Sequence, residues 1–121
     1  MSFKKDNSFE KRLNGSKYIK NKYPDRIPII VEIADTDKNS IILDKKKFIV
    51  PKDLTIAQFI FVIRKRIKLQ PEHALFIFFD NKIPTSSTLI SEIYNKNKDE
   101  DGFLYADIAL ELTFGYMVYY K

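Results

Sequence analysis

Apolar and polar residues alternate with two different periods along this chain, and the switches between them mark the elements. From Ser8 to Tyr23, Phe9 and Leu13, and then Ile19 and Tyr23, recur at four-residue spacing behind a Ser8 N-cap. This predicts an amphipathic helix ended by Pro24 and weakened by Gly15, which costs about 1 kcal/mol against alanine. Residues 26–33, RIPIIVEI, are short and rich in β-branched side chains. They predict a strand with Ile27, Ile29, Val31 and Ile33 on one face and Pro28, Ile30 and Glu32 on the other. After the polar loop DTDKNS (35–40), residues 45–51, KKKFIVP, predict a second strand that pairs Phe48 with Val50 on one face and Lys47 with Ile49 on the other. Thr55 then caps a helix whose stripe is Ile56, Phe59, Ile60, Ile63 and Ile67, with Arg64, Lys65 and Arg66 at the C-terminal end that favours cations. Residues 74–79, ALFIFF, predict a buried strand closed by Asp80, Asn81 and Lys82. A short helix over 88–94 follows the capping candidates Ser86 and Ser87, and after the turn DEDG (99–102) a last strand starts at Phe103. The pattern from Asp107 onward fits no single element.

The order, a helix followed by β-β-α-β-α-β, describes an α+β roll in which a helix crosses one face of a sheet. A ubiquitin-like β-grasp is the simplest such arrangement. Its length of 121 residues and 45% hydrophobic content suit one compact domain with a real core. The longest apolar runs fall far short of the ~20 residues of a membrane-spanning helix, and the N-terminal residues lack the apolar stretch of a secretory signal. There are no cysteines and His73 is the only histidine, which excludes disulfides, thiol nucleophiles and histidine-rich zinc sites. No serine stands in a nucleophile elbow, and Gly15, Gly102 and Gly115 cannot build a phosphate loop. Asp99, Glu100 and Asp101 point in different directions and read as a solvated turn rather than a cation site. The chain therefore reads as a non-enzymatic cytosolic domain without metal or cofactor.

Charge sharpens this. Residues 1–26 hold eight Lys and Arg against three Asp and Glu, so the whole net charge of +5 belongs to the N-terminal segment. Such a segment attracts acidic partners or an anionic membrane, unless it is simply a solvated helix face. Its aromatics, Phe3, Phe9, Tyr18 and Tyr23, are spaced for helix packing rather than base stacking, against a nucleic-acid role.

A docking surface is the better-founded reading. Pro28, Ile30 and Ile49 are apolar residues on the outer face of the sheet, and a single N-terminal helix covering them with Leu13 and Ile19 would leave a cleft floored by Phe103. On the inner side, Phe48, Val50, Pro51 and Leu54 meet Phe59 and Val62 near the sheet margin, where a second depression is expected. Lys45, Lys46 and Lys47 lie on the strand between the two. If that strand is an edge, its backbone can pair with an extended peptide and its lysines attract acidic ones.

The segments FEKR (9–12), KYPDRIPIIVE (22–32), DKKKFIVPKDLT (44–55), QFIFVIRKRIKL (58–69), ALFIFF (74–79) and DEDGFLY (99–105) resemble the ubiquitin-like modifiers of autophagy, the family of the microtubule-associated light chain three proteins and the GABA-receptor-associated protein. The resemblance runs from about Phe9 to Gly115. It implies a four-stranded mixed sheet with a crossing helix and additional N-terminal helices. It also implies three parts: a basic helical extension over 1–23, the β-grasp over 24–115 and a tail over 116–121 that is removed. In this family a protease trims the chain to a C-terminal glycine. Activating and conjugating enzymes then join that glycine to phosphatidylethanolamine, and the membrane-bound form recruits cargo receptors and adaptors through short aromatic-x-x-aliphatic motifs. The implied aromatic pocket is Ile19, Pro28, Ile30, Lys47, Ile49 and Phe103, and the aliphatic pocket is Phe48, Val50, Pro51, Leu54, Phe59 and Val62. Arg26, Lys45, Lys46 and Arg66 supply charge contacts. Gly115, alone a turn residue, becomes the processing site. The resemblance places a monomer in the cytoplasm and, once lipidated, at the autophagosomal or vacuolar membrane.

The chain departs from the family at three places. Gly15 stands where a charged residue usually borders the aromatic pocket, the loop over 35–43 is one residue longer, and DIALEL (107–112) with YMVYYK beyond Gly115 replaces a polar arm. An apolar tail that pairs as a strand or docks into the chain's own pocket would hide Gly115. A non-lipidated β-grasp module binding peptides or microtubules is the alternative function.

Overall fold

The computed structural model describes residues 2–34, 42–67 and 74–110. Along them run α1 (Phe3–Asp6), α2 (Phe9–Lys22), β1 (Arg26–Ile33), β2 (Lys47–Pro51), α3 (Ile56–Arg64), β3 (Leu75–Phe78), α4 (Ile90–Asn97) and β4 (Leu104–Leu110). The four strands form one mixed sheet in the order β2-β1-β4-β3, with β1 antiparallel to β2 and parallel to β4, and β3 antiparallel to β4. This is the ubiquitin-like β-grasp the element order implied, with the first and last strands paired at its centre.

Strand alternation sorts the sheet into two faces. Ile27, Ile29 and Val31 of β1, Phe48 and Val50 of β2, and Leu104, Ala106 and Ile108 of β4 enter one core with Ile56, Phe59 and Ile63 of α3 and Ile90 and Ile93 of α4. Phe59 is completely buried and meets Phe48 edge to face at 5.9 Å between ring centroids. On the opposite face Ile30 and Phe103 pack with Ile19 of α2, forming a second, smaller cluster. The outer face is therefore covered over β1, which explains why Pro28 and Ile30 are buried although they point away from α3.

Several boundaries differ from the periodicity. α3 stops at Arg64, and Ile67 instead forms an isolated bridge with Leu43. α4 starts two residues after Thr88 and runs to Asn97. Its first turn is capped not by Ser86 or Ser87 but by Glu92, whose carboxylate accepts from the Leu89 N–H at 3.1 Å, while the Thr85 and Thr88 hydroxyls bond each other at 2.6 Å. β3 is buried only at Leu75 and Ile77, because its other face is not fully covered. The ambiguous residues 107–110 continue β4, paired with β1 through Ile108 and with β3 through Leu110. α1, too short for a periodic signal, is a further element. Phe9, Tyr18 and Tyr23 are exposed rather than packed, and cations of Arg12, Lys22 and Arg26 lie within 6 Å of their rings. Only Ser16 and Ile19 of α2 are buried, so the helix touches the sheet along a narrow line. The 35–40 loop, His73, Gly115 and the tail after it lie outside the described residues.

Candidate functional site: the free margin of β2

β2 is an edge strand: among the described residues no strand pairs on its far side. Its register decides which backbone groups point there. The Val31 N–H donates to the Lys46 carbonyl at 2.8 Å, and with Ile29 opposite Phe48 and Ile27 opposite Val50, residues 46, 48 and 50 direct their N–H and C=O toward β1. Lys47 and Ile49 consequently direct theirs outward, where the Ile49 carbonyl accepts a long 3.4 Å bond from the Arg26 guanidinium. Pro28 faces Ile49 in a pair that exchanges no hydrogen bonds, so its missing N–H costs the β1–β2 ladder nothing, and the pairing of β1 with β4 starts only at Ile29. The outward N–H and C=O groups of residues 47 and 49 are a template for one added strand.

The aromatic site lies on the outer side of this strand. Ile19, Ile30 and Phe103 are its buried members; Pro28 is buried, Ile49 is half-buried against the cluster, and Lys47 is exposed. The Lys47 ammonium sits 5.8 Å from the Phe103 ring centroid. Phe103 itself is completely inaccessible, so the expected cleft floored by it is closed. Ile19 and Ile30 pack against it, and Phe3 of α1 meets its ring edge to face at 5.4 Å. Gly15 stands beside the same ring: a Cβ there would make only ordinary contact, 3.8 Å from Phe103 Cζ, so nothing in the packing demands glycine.

On the inner side the six predicted aliphatic-site residues divide. Phe48, Val50 and Phe59 are buried members of the main core, whereas Pro51, Leu54 and Val62 keep accessible surface. The structure thus brings both sets to β2, with three of the second serving the fold first. Of the charge candidates, Arg26, Lys45, Lys46 and Arg66 are all exposed, and the Lys45 ammonium lies 5.6 Å from the Phe48 ring.

What fixes Phe103 is a set of residues that sequence reading missed. Asp101 is fully buried, contrary to the expected solvated turn. Its Oδ2 accepts from Arg12 of α2 at 2.7 Å and from the Tyr105 hydroxyl at 2.5 Å, while Oδ1 accepts from the Phe103 N–H at 2.8 Å. The Ser16 hydroxyl donates to the Asp101 carbonyl, and the Tyr94 hydroxyl to the Gly102 carbonyl at 2.8 Å. Three charge-assisted bonds satisfy the carboxylate and pin α2 to the start of β4. Burial, with the adjoining Asp101 charge, pushes the Tyr105 phenol well above its ordinary value, so it remains a donor. At the surface, burial opposes ionisation of Asp99, but the 2.6 Å bond from Lys4, the bond from the Asp101 N–H and the charges of Lys4 and Arg12 together outweigh it and hold the carboxyl below its usual range. Part of the N-terminal positive charge is thus spent inside the molecule. Three consecutive acids in the turn 99–102 and an arginine at helical spacing before Ser16 were the available signals; pairing residues 89 positions apart lies beyond any local pattern.

A second groove of about 550 Å³ lies between the segment after β3 and α4, lined in part by Phe79, Ile83, Pro84 and Ile93. Among the described residues there is no cluster of three or more metal-ligating side chains, and no helix is long and apolar enough to cross a membrane.

The model of the family described as "Autophagy protein Atg8 ubiquitin like" matches residues 11–115. The chain is 56% identical over 115 residues to autophagy-related protein 8 of Mycosarcoma maydis, covering 94% of this chain and 96% of that one. It is likewise 56% identical over 113 residues to autophagy-related protein 8e of Arabidopsis thaliana, covering 93% and 92%. The crystal structure of Trypanosoma brucei ATG8 superposes with a TM-score of 0.85 at 41% identity, over 92% of this chain and 95% of that one. Fold, edge strand and sequence agree: the chain belongs to the Atg8 family of ubiquitin-like autophagy proteins.

Proposed function

We propose that this ubiquitin-like modifier of autophagy works as a membrane-tethered adaptor. A protease hydrolyses the Gly115–Tyr116 peptide bond and releases residues 116–121, and activating and conjugating enzymes join the new Gly115 carboxyl to the amine of phosphatidylethanolamine. In this division residues 1–23 form the helical extension and 24–115 the conjugated body. Glycine suits the step because it has no side chain to obstruct a narrow enzyme cleft and reaches backbone conformations closed to other residues. Two acyl chains, each adding roughly 0.8 kcal/mol per buried CH₂, hold the product on the autophagosomal membrane. There it recruits cargo receptors and adaptors whose acidic, extended segments add to β2, an aromatic side chain entering beside Ile30, Ile49 and Phe103 and an aliphatic one beside Pro51, Leu54 and Val62.

The observation that carries this reading is the margin of β2 on which no strand pairs among the described residues, with outward backbone groups at Lys47 and Ile49, an apolar site on either side and exposed lysines at 45–47. Incubating the full chain with the family's processing protease tests the conjugation half. Mass spectrometry is expected to show loss of the six residues YMVYYK alone. An inert full-length chain removes conjugation and leaves the non-lipidated docking module.

A further inference from the structure

We propose that the segment after β4 carries a docking motif of its own, and that the unprocessed chain uses it to pair with β2 of a second copy. The inference rests on the peptide-docking reading of β2 given above.

Three places in the chain have an aromatic residue followed three positions later by Val, Ile, Leu or Met: Phe59 with Val62, Tyr105 with Ile108, and Phe114 with Met117. The first two lie within α3 and β4, where Phe59 and Ile108 are completely buried in the main core. Phe114 instead falls four residues past Leu110, the last residue of β4. Its surroundings, ELTFGYMVYYK (111–121), are rich in the Thr, Tyr, Phe and Val that favour extended chain. In an extended chain, side chains three positions apart point to opposite faces, so Phe114 and Met117 suit two apolar sites on opposite faces of the sheet. β2 has such a pair: Ile49 is half-buried on the outer face, and Pro51, Leu54 and Val62 keep accessible surface on the inner one. Glu111 precedes Phe114 by three residues, and toward the start of β2 stand the exposed Lys45, Lys46 and Lys47. Glu111 beside these lysines and Met117 beside Pro51 and Leu54 together set the segment parallel to β2.

The register keeps each tail from its own β2. The docking residues Lys47 and Ile49 lie opposite Ile30 and Pro28, at the level where β4 begins. From Leu104, opposite Ile29, β4 runs six residues away from that level to Leu110, about 20 Å at ~3.3 Å per residue. A strand added to β2 also lies three strand spacings from β4, about 14 Å across the sheet. Phe114 would therefore have to double back to a point about 24 Å from Leu110, whereas four residues span at most about 14 Å fully extended. The tail that fits β2 belongs to another molecule, either reciprocally between two copies or head to tail along an open chain.

Processing dissolves the contact. The Gly115–Tyr116 bond lies between the two anchors, so its hydrolysis leaves Phe114 on the body and releases Met117. A docked tail holds that bond against β2 and out of a protease cleft, so the precursor is cut more slowly as its concentration rises.

The test is sedimentation equilibrium of the full chain and of its Phe114→Ser and Met117→Asp variants from micromolar to millimolar concentration. The mean mass of the full chain is expected to rise with concentration. Each substitution is expected to weaken association about tenfold or more, as for an apolar anchor lost from its site. To locate the contact, isotope-labelled Met117→Asp chain, its own tail disabled, is titrated with unlabelled full chain, and amide shifts are expected at Lys47 and Ile49. A synthetic peptide of residues 111–121 is expected to shift the same two amides in the labelled full chain, which decides the matter should a variant fail to fold. A full chain that stays monomeric throughout, association that both substitutions leave unchanged, or shifts only away from β2 overturns the inference. An unrelated acidic peptide with a Trp-x-x-Leu core separates it from the reading beneath it. If that peptide shifts Lys47 and Ile49 where the tail does not, docking stands and the inference falls; if it does not bind, the docking reading itself is overturned.

Discussion

Asp101→Ala is expected to cost about 3–5 kcal/mol of folding free energy, the range for breaking a buried ion pair from one side. The carboxylate is fully buried, and its removal strands three donors at once: the Arg12 guanidinium, only 11% exposed, the Tyr105 hydroxyl and the Phe103 N–H. Urea unfolding measures the loss. With a slope of about 1–3 kcal/mol per molar for a domain of this size, the midpoint falls by 1 M or more. Asp101→Asn keeps an acceptor for the Phe103 N–H and is expected to lose less. Adding Arg12→Met to Asp101→Ala removes the stranded cation and recovers part of the loss, so the two substitutions are non-additive. A loss below about 1 kcal/mol, the value of a surface pair, would contradict the assignment of this cluster as the joint between α2 and the sheet.

Gly102→Ala is the second large effect, expected at about 2–4 kcal/mol from two separable causes. Gly102 has φ +89°, a backbone conformation that strains any L side chain. A Cβ placed there would also overlap the Ser16 hydroxyl and stand 3.0 Å from the Ser16 Cβ. Ser16→Gly makes room without changing the dihedral angle. The double variant is therefore expected to recover the steric share and keep a residual cost of about 1–2 kcal/mol from the left-handed backbone. Thermal unfolding of the three proteins separates the shares; full recovery would mean that the dihedral carries no strain. Because Gly102 precedes Phe103, the overlap also lifts α2 off the aromatic site, so Gly102→Ala weakens peptide binding as well as stability.

How far the residues alone disclose this molecule depends on the range of the interaction concerned. β1 was legible in full, because a period of two in RIPIIVEI reflects contacts that a strand makes wherever it lies. The capping of α3 was equally local: Thr55 accepts from the Gln58 N–H, and Gln58 returns the bond to the Thr55 N–H. The outward side chains of Lys47 and Ile49 followed from the same alternation, and with them the surface that faces α2. What stayed hidden depends on pairings across the chain. Asp101 looks like any acid in a polar turn until Arg12 and Tyr105 converge on it, and a lone Phe3 near the N-terminus gives no sign that it will meet the Phe103 ring. Phe48 and Phe59 illustrate a different ambiguity. An apolar residue at a sheet margin reads the same whether it lines a pocket or fills the core, and these two meet edge to face within the core. Helix ends also slipped, because α4 takes its first hydrogen bonds from Glu92 inside the helix rather than from the serines before it.

The same geometry explains how one small domain separates stability from recognition. α3 and α4 fill one face of the sheet and carry the fold, while α1 and α2 cover the other over β1 with a cluster of only three buried residues. The outer cluster borders β2, so changes there reach the docking strip while the main core persists.

Backbone hydrogen exchange at β2 tests the central claim most directly. The register sends the N–H groups of Lys47 and Ile49 to the free margin and those of Phe48 and Val50 to β1. On addition of a saturating acidic peptide with an aromatic-x-x-aliphatic core, the account predicts that exchange slows selectively at Lys47 and Ile49, while Phe48 and Val50, already bonded within the sheet, change little. Peptide binding that leaves Lys47 and Ile49 exchanging as fast as before, with protection arising at another surface such as the groove beside α4, would contradict it.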